Sequence, residues 1–260
     1  MARAMWKGTL QIGELTVPVK LYAAAQDRGV HFHLLHGDDQ VRVRQRMVDP
    51  TTDQPVAPED VRKGYEVEPG EFVLLSAEEL RKTAPEPSRT VEIERFLDAT
   101  RLEPYWYARP YYLGPDGQAD RYRALGAALA DEGRVGIAQW VMRNKRYVGA
   151  LRAVGPQLVL ITLRSREEVR DISRLRAPAG RAFEKNELAL AEQLIHALEG
   201  HFDPNQFHDE HRERVLALID AKRKGKKLPI KREPRKVEPS SIADALAASL
   251  KSVQKERRSA

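Results

Sequence analysis

Apolar and polar residues alternate along much of the first two thirds of the chain, which predicts a protein rich in β-strands. In the segment 15–22 every second residue is Leu or Val, a period of two that gives an extended chain one buried and one exposed face. Pro18 lies within this segment and cannot donate a backbone hydrogen bond. The pattern therefore places this strand at a sheet edge or at a bulge.

Alternation also predicts strands over residues 30–36 and 41–47, joined by a turn. In the second of these, Arg42, Arg44 and Arg46 share one face at intervals of about 6.6 Å, close to the spacing of phosphates along a nucleic-acid strand. A solvated strand face accounts equally well for these three arginines when they are considered alone.

The middle of the chain predicts a helix followed by a group of strands. Residues 119–132 have the spacing of an amphipathic helix, and residues 135–142, 147–154 and 158–163 have the composition of strands. Earlier in the chain, the capping box at residues 76–79 predicts the start of a short helix.

After residue 182 the apolar period changes to that of helices, which divides the chain into four parts. We predict a strand-rich core over 1–182, a helical arm over 183–221, a basic disordered linker over 222–239 and a final amphipathic helix over 240–260. An apolar stripe at the end of a flexible tether is typical of a docking helix. Its predicted partner-binding residues are Ile242, Leu246 and Leu250.

The net charge of +6 is concentrated in the last part of the chain. From residue 222 onward there are 13 basic and 4 acidic side chains, so residues 1–221 have a net charge of −3. If the core also binds an anionic polymer, it must therefore separate its charges into regions. Residues 51–100 carry 12 acidic and 6 basic side chains, which marks one acidic region.

A long stretch of the core has no acidic residue. It lies between Glu132 and Glu167 and contains seven cations: Arg134, Arg143, Lys145, Arg146, Arg152, Arg164 and Arg166. A sheet that carries several unopposed cations is suited to an extended anion larger than a metabolite, and DNA is the usual candidate. Residues 143–146 also fit a soluble hairpin turn.

These patterns give a set of candidate DNA-binding residues, chosen from charge and strand alternation alone. They are Arg42, Arg44, Arg46, Arg134, Arg143, Lys145, Arg146, Arg152, Lys222, Arg223, Lys224, Lys226 and Lys227. The aromatic cluster over residues 105–112 fits a packed core better than a platform for stacking bases.

The sequence contains little that points to catalysis. It lacks the phosphate-binding loop of ATPases, the nucleophile elbow of hydrolases and the zinc-protease motif, and it has no cysteine. His31 and His33 share a face, but surface histidines are far commoner than metal ligands. We therefore predict no catalytic residue, cofactor or metal site. With no signal-peptide pattern and no membrane-spanning segment, we expect a cytoplasmic, nucleoid-associated protein.

Several short motifs together closely resemble the bacterial Ku proteins of non-homologous end joining. They are residues 1–10 (MARAMWKGTL), 17–22 (VPVKLY), 30–36 (VHFHLLH), 63–66 (KGYE), 109–113 (RPYYL) and 202–207 (FDPNQF). The resemblance extends from residue 1 to about residue 221. It implies an α+β fold with a Ku-type β-barrel core and ring-forming strands, and we add to it the helical C-terminal arm and the basic flexible tail.

The resemblance also implies a function and partners. Ku proteins of this kind form a homodimeric ring through which an end of double-stranded DNA threads without sequence recognition, and they recruit an ATP-dependent DNA ligase, ligase D. Two other hypotheses remain open from the sequence. One is a nucleic-acid enzyme, such as a nuclease or a lyase, and the other is a chromosome-coating protein that binds mainly through its tail.

Overall fold

The computed structural model describes residues 3–176, 180, 182, 184–225 and 242–259. The chain divides into two compact units. The first contains residues 1–28 and 33–172, and the second contains residues 29–32 and 173–260. The first unit consists mainly of strands and the second of helices.

Nine strands and two helices form the first unit. They are β1 (Trp6–Ile12), β2 (Leu15–Ala23), β3 (Lys63–Glu68), β4 (Glu71–Leu75), α1 (Ala77–Lys82), β5 (Thr90–Asp98), β6 (Tyr107–Pro115), α2 (Ala119–Asp131), β7 (Arg134–Met142), β8 (Lys145–Val154) and β9 (Gln157–Leu163). The strands predicted over 15–22, 135–142, 147–154 and 158–163 are confirmed. So are the helix over 119–132 and the capping box before α1.

Seven of these strands form a closed barrel in the order β1-β2-β6-β9-β8-β7-β5. All neighbours are antiparallel except β1 and β5, whose parallel pairing closes the barrel. The interior is filled mainly by Leu and Val, and Leu10, Leu21, Leu151 and Leu160 are fully buried. The predicted α+β fold with a barrel core is therefore confirmed.

The strand that contains Pro18 is not an edge strand, which corrects that prediction. Strand β2 lies between β1 and β6, but it pairs with β6 only from Val19 onward. Pro18 stands where this pairing ends, and its carbonyl accepts a hydrogen bond from the Asp116 amide at 3.0 Å. The proline is tolerated because no ladder partner needs its missing N–H.

Helix α2 closes one end of the barrel. Its Tyr122, Leu125 and Leu129 belong to the same buried cluster as the barrel interior. The Tyr122 hydroxyl donates to the Leu113 carbonyl at 2.6 Å and accepts from the Leu158 amide at 2.8 Å. These bonds connect α2 to the end of β6 and the start of β9. Burial raises the pKa of this phenol above its usual value, so it remains a neutral donor.

The predicted strands over 30–36 and 41–47 do not form as regular strands. Backbone hydrogen bonds join His36 to Val41 and Val43 to Leu34, and only an isolated bridge links Leu35 to Arg42. The alternation is present, but in the described residues no further strand pairs with these segments. A segment with few cross-strand hydrogen bonds and two exposed faces is not stabilised as a regular strand.

We call residues 33–75 the arm. It includes the two-stranded sheet of β3 and β4, in which nearly every side chain is exposed. Many large apolar side chains are exposed along the arm, and the following examples are all more than 55% exposed: Leu34, Val41, Met47, Tyr65, Phe72 and Leu74. Such an exposed apolar surface is typical of an interaction site.

The second unit contains α3 (Lys185–Leu198), α4 (Glu210–Arg223) and α5 (Ile242–Ser259). Helix α5 packs against α3, and its Leu246 and Leu250 are partly buried, whereas Ile242 is 52% exposed. Helix α5 lies within the range 240–260 that the sequence analysis gave for a final helix. Part of its apolar stripe is therefore buried within the same chain, where α5 packs against α3.

Helix α4 continues past residue 221, where the sequence analysis placed the end of the C-terminal helices and the start of the basic linker. Lys222 and Arg223 form the last turn of α4, and Lys224 caps it. These cations therefore belong to a helix, where basic side chains favourably oppose the negative end of the helix dipole. No helix in the described residues is long and apolar enough to cross a membrane.

We predict that Tyr122→Phe destabilises the barrel without changing its shape. The substitution leaves the Leu113 carbonyl and the Leu158 amide without a buried partner, which costs about 1–3 kcal/mol in the free energy of unfolding. Denaturant titration measures this loss. Tyr112→Phe is the matched control, because Tyr112 lies on the barrel exterior and is 51% exposed. Equal effects of the two substitutions would contradict the capping role of Tyr122.

Candidate nucleic-acid interface

The turn between β7 and β8 presents cations at one end of the barrel. Arg143 and Asn144 both have positive φ, at 52° and 60°, and Met142 pairs directly with Lys145. This is a two-residue hairpin of the type whose twist matches the flanking strands, which usually places Asn or Gly at these positions. Arginine in the left-handed region is strained. The chain thus places a cation at this tip at some cost in stability.

The exterior face of β8 continues the basic surface. Tyr147, Gly149, Leu151 and Ala153 point toward the barrel interior, so alternation places the other residues on the outer face. There Arg146 and Val148 are exposed, Ala150 is fully buried and Arg152 is partly buried. From Arg146 to Arg152 the distance along the strand is about 20 Å. In Arg152 the Nε atom is buried and has no hydrogen-bond partner.

A single glycine keeps β8 close to its neighbours. A Cβ atom at Gly149 would lie 2.6 Å from the Trp140 ring and 2.8 Å from the Ile161 carbonyl oxygen. Because β8 packs so tightly there, its two exterior arginines are held on a rigid sheet. Rigid cations bind phosphate oxygens without sequence preference.

A cleft of about 880 Å³ lies beside the β7–β8 turn. It opens between the first half of β6, the start of β8 and the end of β9. Its basic lining residues are Arg109, Lys145, Arg146, Arg164 and Arg166, and its acidic lining residue is Glu168. Because α2 covers the opposite ends of β6 and β9, this cleft is the open mouth of the barrel.

A bulge in β6 positions Arg109 at this mouth. The pairing of β6 with β9 is interrupted between Tyr107 and Pro110. The Thr162 hydroxyl fills the gap, accepting from the Arg109 amide at 2.8 Å and donating to the Arg109 carbonyl at 3.3 Å. Thr162 is only 6% exposed. Bulges of this kind re-aim a side chain, and here the side chain is a guanidinium.

Two of the cleft arginines support its walls. The Arg164 guanidinium donates to the backbone carbonyls of Tyr105, at 2.7 Å, and of Tyr107. Arg166 donates to the Val169 carbonyl at 3.0 Å. Their charges remain in the cleft, but their positions are fixed by backbone contacts.

The carboxylate of the cleft is also tied to the backbone. Glu168 accepts a hydrogen bond from the Ser165 amide at 2.7 Å. That bond lowers the pKa of Glu168, and the fields of Lys145 and Arg164 lower it further. Glu168 is therefore ionised at neutral pH, and it opposes only part of the positive charge of the mouth.

The structure does not place all the predicted cations together. Arg134 begins β7, pairs with Asp98 in the ladder and lies about 30 Å along the strand from Arg143. The acid-free stretch thus supplies cations to both ends of the barrel, because each strand spans its length. Arg134 therefore lies apart from the cations of the β7–β8 turn, and its role in DNA binding stays a prediction.

The remaining predicted cations lie elsewhere in the chain. Arg42, Arg44 and Arg46 are exposed on the arm. The regular strand predicted to align them on one face does not form. In the second unit, Lys224 forms an ion pair with Asp220 at 2.6 Å. Lys226 and Lys227 fall outside the described residues. Among the residues that the structure describes, no group of three or more His, Asp or Glu side chains could hold a metal ion.

Comparison with known proteins agrees with this architecture. The family model described as the Ku70/Ku80 beta-barrel domain matches residues 11–193. The chain belongs to the Ku family. Strands β2 and β5–β9, helix α2 and the basic mouth all lie within the matched segment, together with the arm.

Individual relatives extend the similarity over nearly the whole chain. "Non-homologous end joining protein Ku" of Anaeromyxobacter sp. (strain K) is 40% identical, with 96% of this chain and 86% of the relative covered. "Non-homologous end joining protein Ku 2" of Geotalea uraniireducens (strain Rf4) is 38% identical, covering 96% and 98%. The Archaeoglobus fulgidus protein named "Non-homologous end joining protein Ku" is 34% identical, covering 97% and 100%.

Sequence reasoning missed Arg109 as a residue of this Ku barrel's basic mouth. It also treated the residues around Trp106 as core, whereas only Tyr111 of that cluster belongs to the buried core and Trp106 lines the cleft. One signal was available. Pro110 within a strand marks an edge or a bulge, and a bulge changes which side the preceding residue faces.

We predict that Arg143→Gly increases the free energy of unfolding of this Ku-family protein by about 0.5–1 kcal/mol. Glycine adopts the left-handed conformation without strain, and this gain exceeds its larger loss of backbone entropy. Denaturant unfolding measures the change. Arg146→Gly is the control, since Arg146 lies in an ordinary strand, where glycine is destabilising. A loss of stability in Arg143→Gly would show instead that the arginine side chain holds the turn.

Proposed function

We propose that this protein binds the ends of double-stranded DNA as a homodimer, without reading sequence, in double-strand break repair by non-homologous end joining. The observation that carries the proposal is the rigid, cation-bearing face of the β7–β8 hairpin in a chain of the Ku family. The names of the relatives support the repair process. The protein acts as a DNA-binding component with no catalytic step of its own.

The charge distribution supports phosphate recognition. Arg143, Arg146 and Arg152 lie on one hairpin, and no carboxylate forms an ion pair with any of them in the described part of the chain. Contacts to phosphate position a protein on DNA, whereas base-edge contacts provide sequence recognition. The hairpin offers cations on a sheet surface and no recognition helix for a groove.

The arm supports the homodimer. Its exposed apolar side chains find no cover within the described residues of the first unit, and β3 and β4 form only a two-stranded sheet, which is marginally stable when alone. A second copy of the chain is the simplest cover, because two-fold dimers are the commonest assembly and match the two-fold character of duplex DNA. In this proposal the two arms complete a ring around the DNA.

A ring selects ends by topology. A duplex enters a closed ring only where the duplex stops, so affinity for ends requires no chemical recognition of the terminus. The cationic hairpin then contacts the backbone inside the ring.

The second unit and the basic tail are proposed to act after end binding. An ATP-dependent DNA ligase remains the proposed partner. Because α5 packs against α3, Ile242 is the most exposed of the three predicted partner-binding residues, and Leu246 and Leu250 are less available. The segment between α4 and α5, residues 224–241, spans at most about 60 Å when extended and carries basic residues for contact with neighbouring DNA.

We predict that the protein binds linear duplex DNA much more tightly than a covalently closed circle of the same sequence, measured by gel-shift competition. Arg146→Gln and Arg152→Gln should weaken binding to linear DNA and reduce the salt slope by about 0.9 for each phosphate that is no longer neutralised. Arg121→Gln is the matched control, because this exposed arginine lies on α2 at the other end of the barrel.

Equal affinity for the circle would refute threading. Replacing the six basic residues between 226 and 236 by Gln, while leaving α5 in place, tests the tail separately. Loss of all DNA affinity in that variant would favour a chromosome-coating protein that binds through its tail.

We also predict that Phe72→Glu combined with Leu74→Glu dissociates the dimer. Both side chains are exposed on one face of β4, so charging them leaves the protomer's fold intact and places carboxylates in the proposed interface. Sedimentation velocity measures the expected change from dimer to monomer. Glu71→Gln on the same strand is the control. A variant that remains dimeric would show that β4 is not part of the interface.

A further inference from the structure

The apolar face of α5 that is suited to a partner is partly buried inside the protein. Its partly buried side chains recur at intervals of three and four residues and form one face of the helix: Ala243, Leu246, Ala247 and Leu250. On the other side of α5, Asp244, Ala248 and Lys251 are exposed. The predicted partner-binding residues Leu246 and Leu250 thus lie in the middle of a face that already has a contact.

Helix α3 covers this face of α5. Within the described residues, α5 is the element that packs extensively against α3. The partly buried side chains of α3 also form one face, which consists of Leu190, Ala191, Leu194 and Ala197. A second apolar face of α3 is open, since Leu188 is 48% exposed and Ile195 is 64% exposed. The contact therefore joins two faces of leucine and alanine, one from each helix.

The contact between α3 and α5 is of a kind that opens readily. None of its four leucines is among the buried core residues. Helices held by few buried apolar contacts separate at a small cost in free energy. The segment 224–241 spans at most about 60 Å when extended, so α5 remains tethered to the chain after it leaves α3.

Opposite charges favour the return of α5 to α3. Together with the flanking Glu184 and Glu199, α3 carries four carboxylates and one lysine. Helix α5 carries four cations and two carboxylates. Unlike charges on two neighbouring helices attract each other, so the packed arrangement is the resting state of the free protein.

We propose that α3 is an internal competitor of the ligase for the apolar face of α5. In the free protein α5 lies on α3, and the ligase binds α5 only after this helix has left α3. One face of a single helix cannot contact α3 and the ligase at the same time. This regulation rests on the proposed function, because it acts on the contact by which the protein recruits the ligase.

The chemistry of α3 also indicates what the ligase presents to α5. A face that packs against Leu190 and Leu194 fits another helix or a groove lined with leucine and alanine at helical spacing. Competition lowers the apparent affinity for the ligase, because only molecules with α5 released can bind it. A high local concentration of ligase at a DNA end opposes this effect by mass action.

Three substitutions test the competition. Leu194→Gln loosens the contact from the α3 side and leaves α5 unaltered, so the ligase should bind about threefold to tenfold more tightly. Ile195→Gln is the matched control, because Ile195 lies on the open face of α3, and it should leave the affinity unchanged. Leu246→Gln removes a residue that α3 and the ligase both contact, and it should weaken ligase binding about fivefold or more. Surface plasmon resonance on an immobilised ATP-dependent end-joining ligase, without DNA, measures all four proteins.

A distance measurement follows the movement of α5 itself. The chain has no cysteine, so Gln193→Cys combined with Ala248→Cys places spin labels at two exposed positions, one on each helix. Electron–electron double resonance should give one short distance in the free protein. The distance should become longer and broader in the ligase complex and in the Leu194→Gln background, whereas the Ile195→Gln background should keep the short distance.

Each result decides for or against the competition. Unchanged or weaker ligase binding by Leu194→Gln overturns it, and so does a short label distance that persists in the ligase complex. Affinity for linear duplex DNA is measured in parallel and should be the same in every variant. A protein that binds the ligase as expected but not DNA ends would refute the proposed function and leave the competition standing. Absence of ligase binding by every protein, Leu194→Gln included, would remove the ligase from the proposed function and overturn the competition with it.

Discussion

Closure of the barrel is the constraint on which the rest of this structure depends. Once β1 and β5 pair, the seven strands have no free edge, and the interior is filled by the apolar half of each alternating strand. Charged side chains on β7, β8 and β9 can then lie only on the exterior or at the two ends. Helix α2 occupies one end, so the cations at the other end surround an open mouth. Charge sorting in this chain is a consequence of barrel geometry.

The same geometry gives the cations on the outer face of β8 and those at the mouth different surroundings. The exterior of β8 offers arginines spaced along a rigid strand, suited to a continuous backbone. The mouth instead brings Arg109, Lys145 and Arg164 together beside aromatic side chains and Glu168. The bulge at Arg109 makes the difference, because it turns one guanidinium from the sheet toward the mouth, at the position where Thr162 satisfies the displaced backbone groups.

Much of the barrel could be predicted from the sequence, because β2 alternates as a half-buried strand must, and β7, β8 and β9 are short apolar runs with the composition of strands. The arm shows the limit of that argument. Alternation in residues 30–36 and 41–47 indicates an apolar face suited to burial, but it does not show whether the residues that bury it belong to the same chain. Arg134 was grouped with Arg143 because the two are near in sequence, although a nine-residue strand carries them to opposite ends. A bulge in β6 decides which side of the sheet the Arg109 side chain lies on, and local periodicity does not show a bulge.

The exposed hairpin of β3 and β4 has a consequence for the tendency of the chain to aggregate. A newly made protomer carries Phe72, Val73 and Leu74 at its surface, in a segment with two open backbone edges, and such segments are prone to aggregate. Carboxylates at Glu66, Glu68 and Glu71 cluster at the hairpin's closed end, with Pro69 in the turn. Like charges there oppose the pairing of two misaligned copies of the hairpin, as acidic gatekeeper residues beside an apolar strand do.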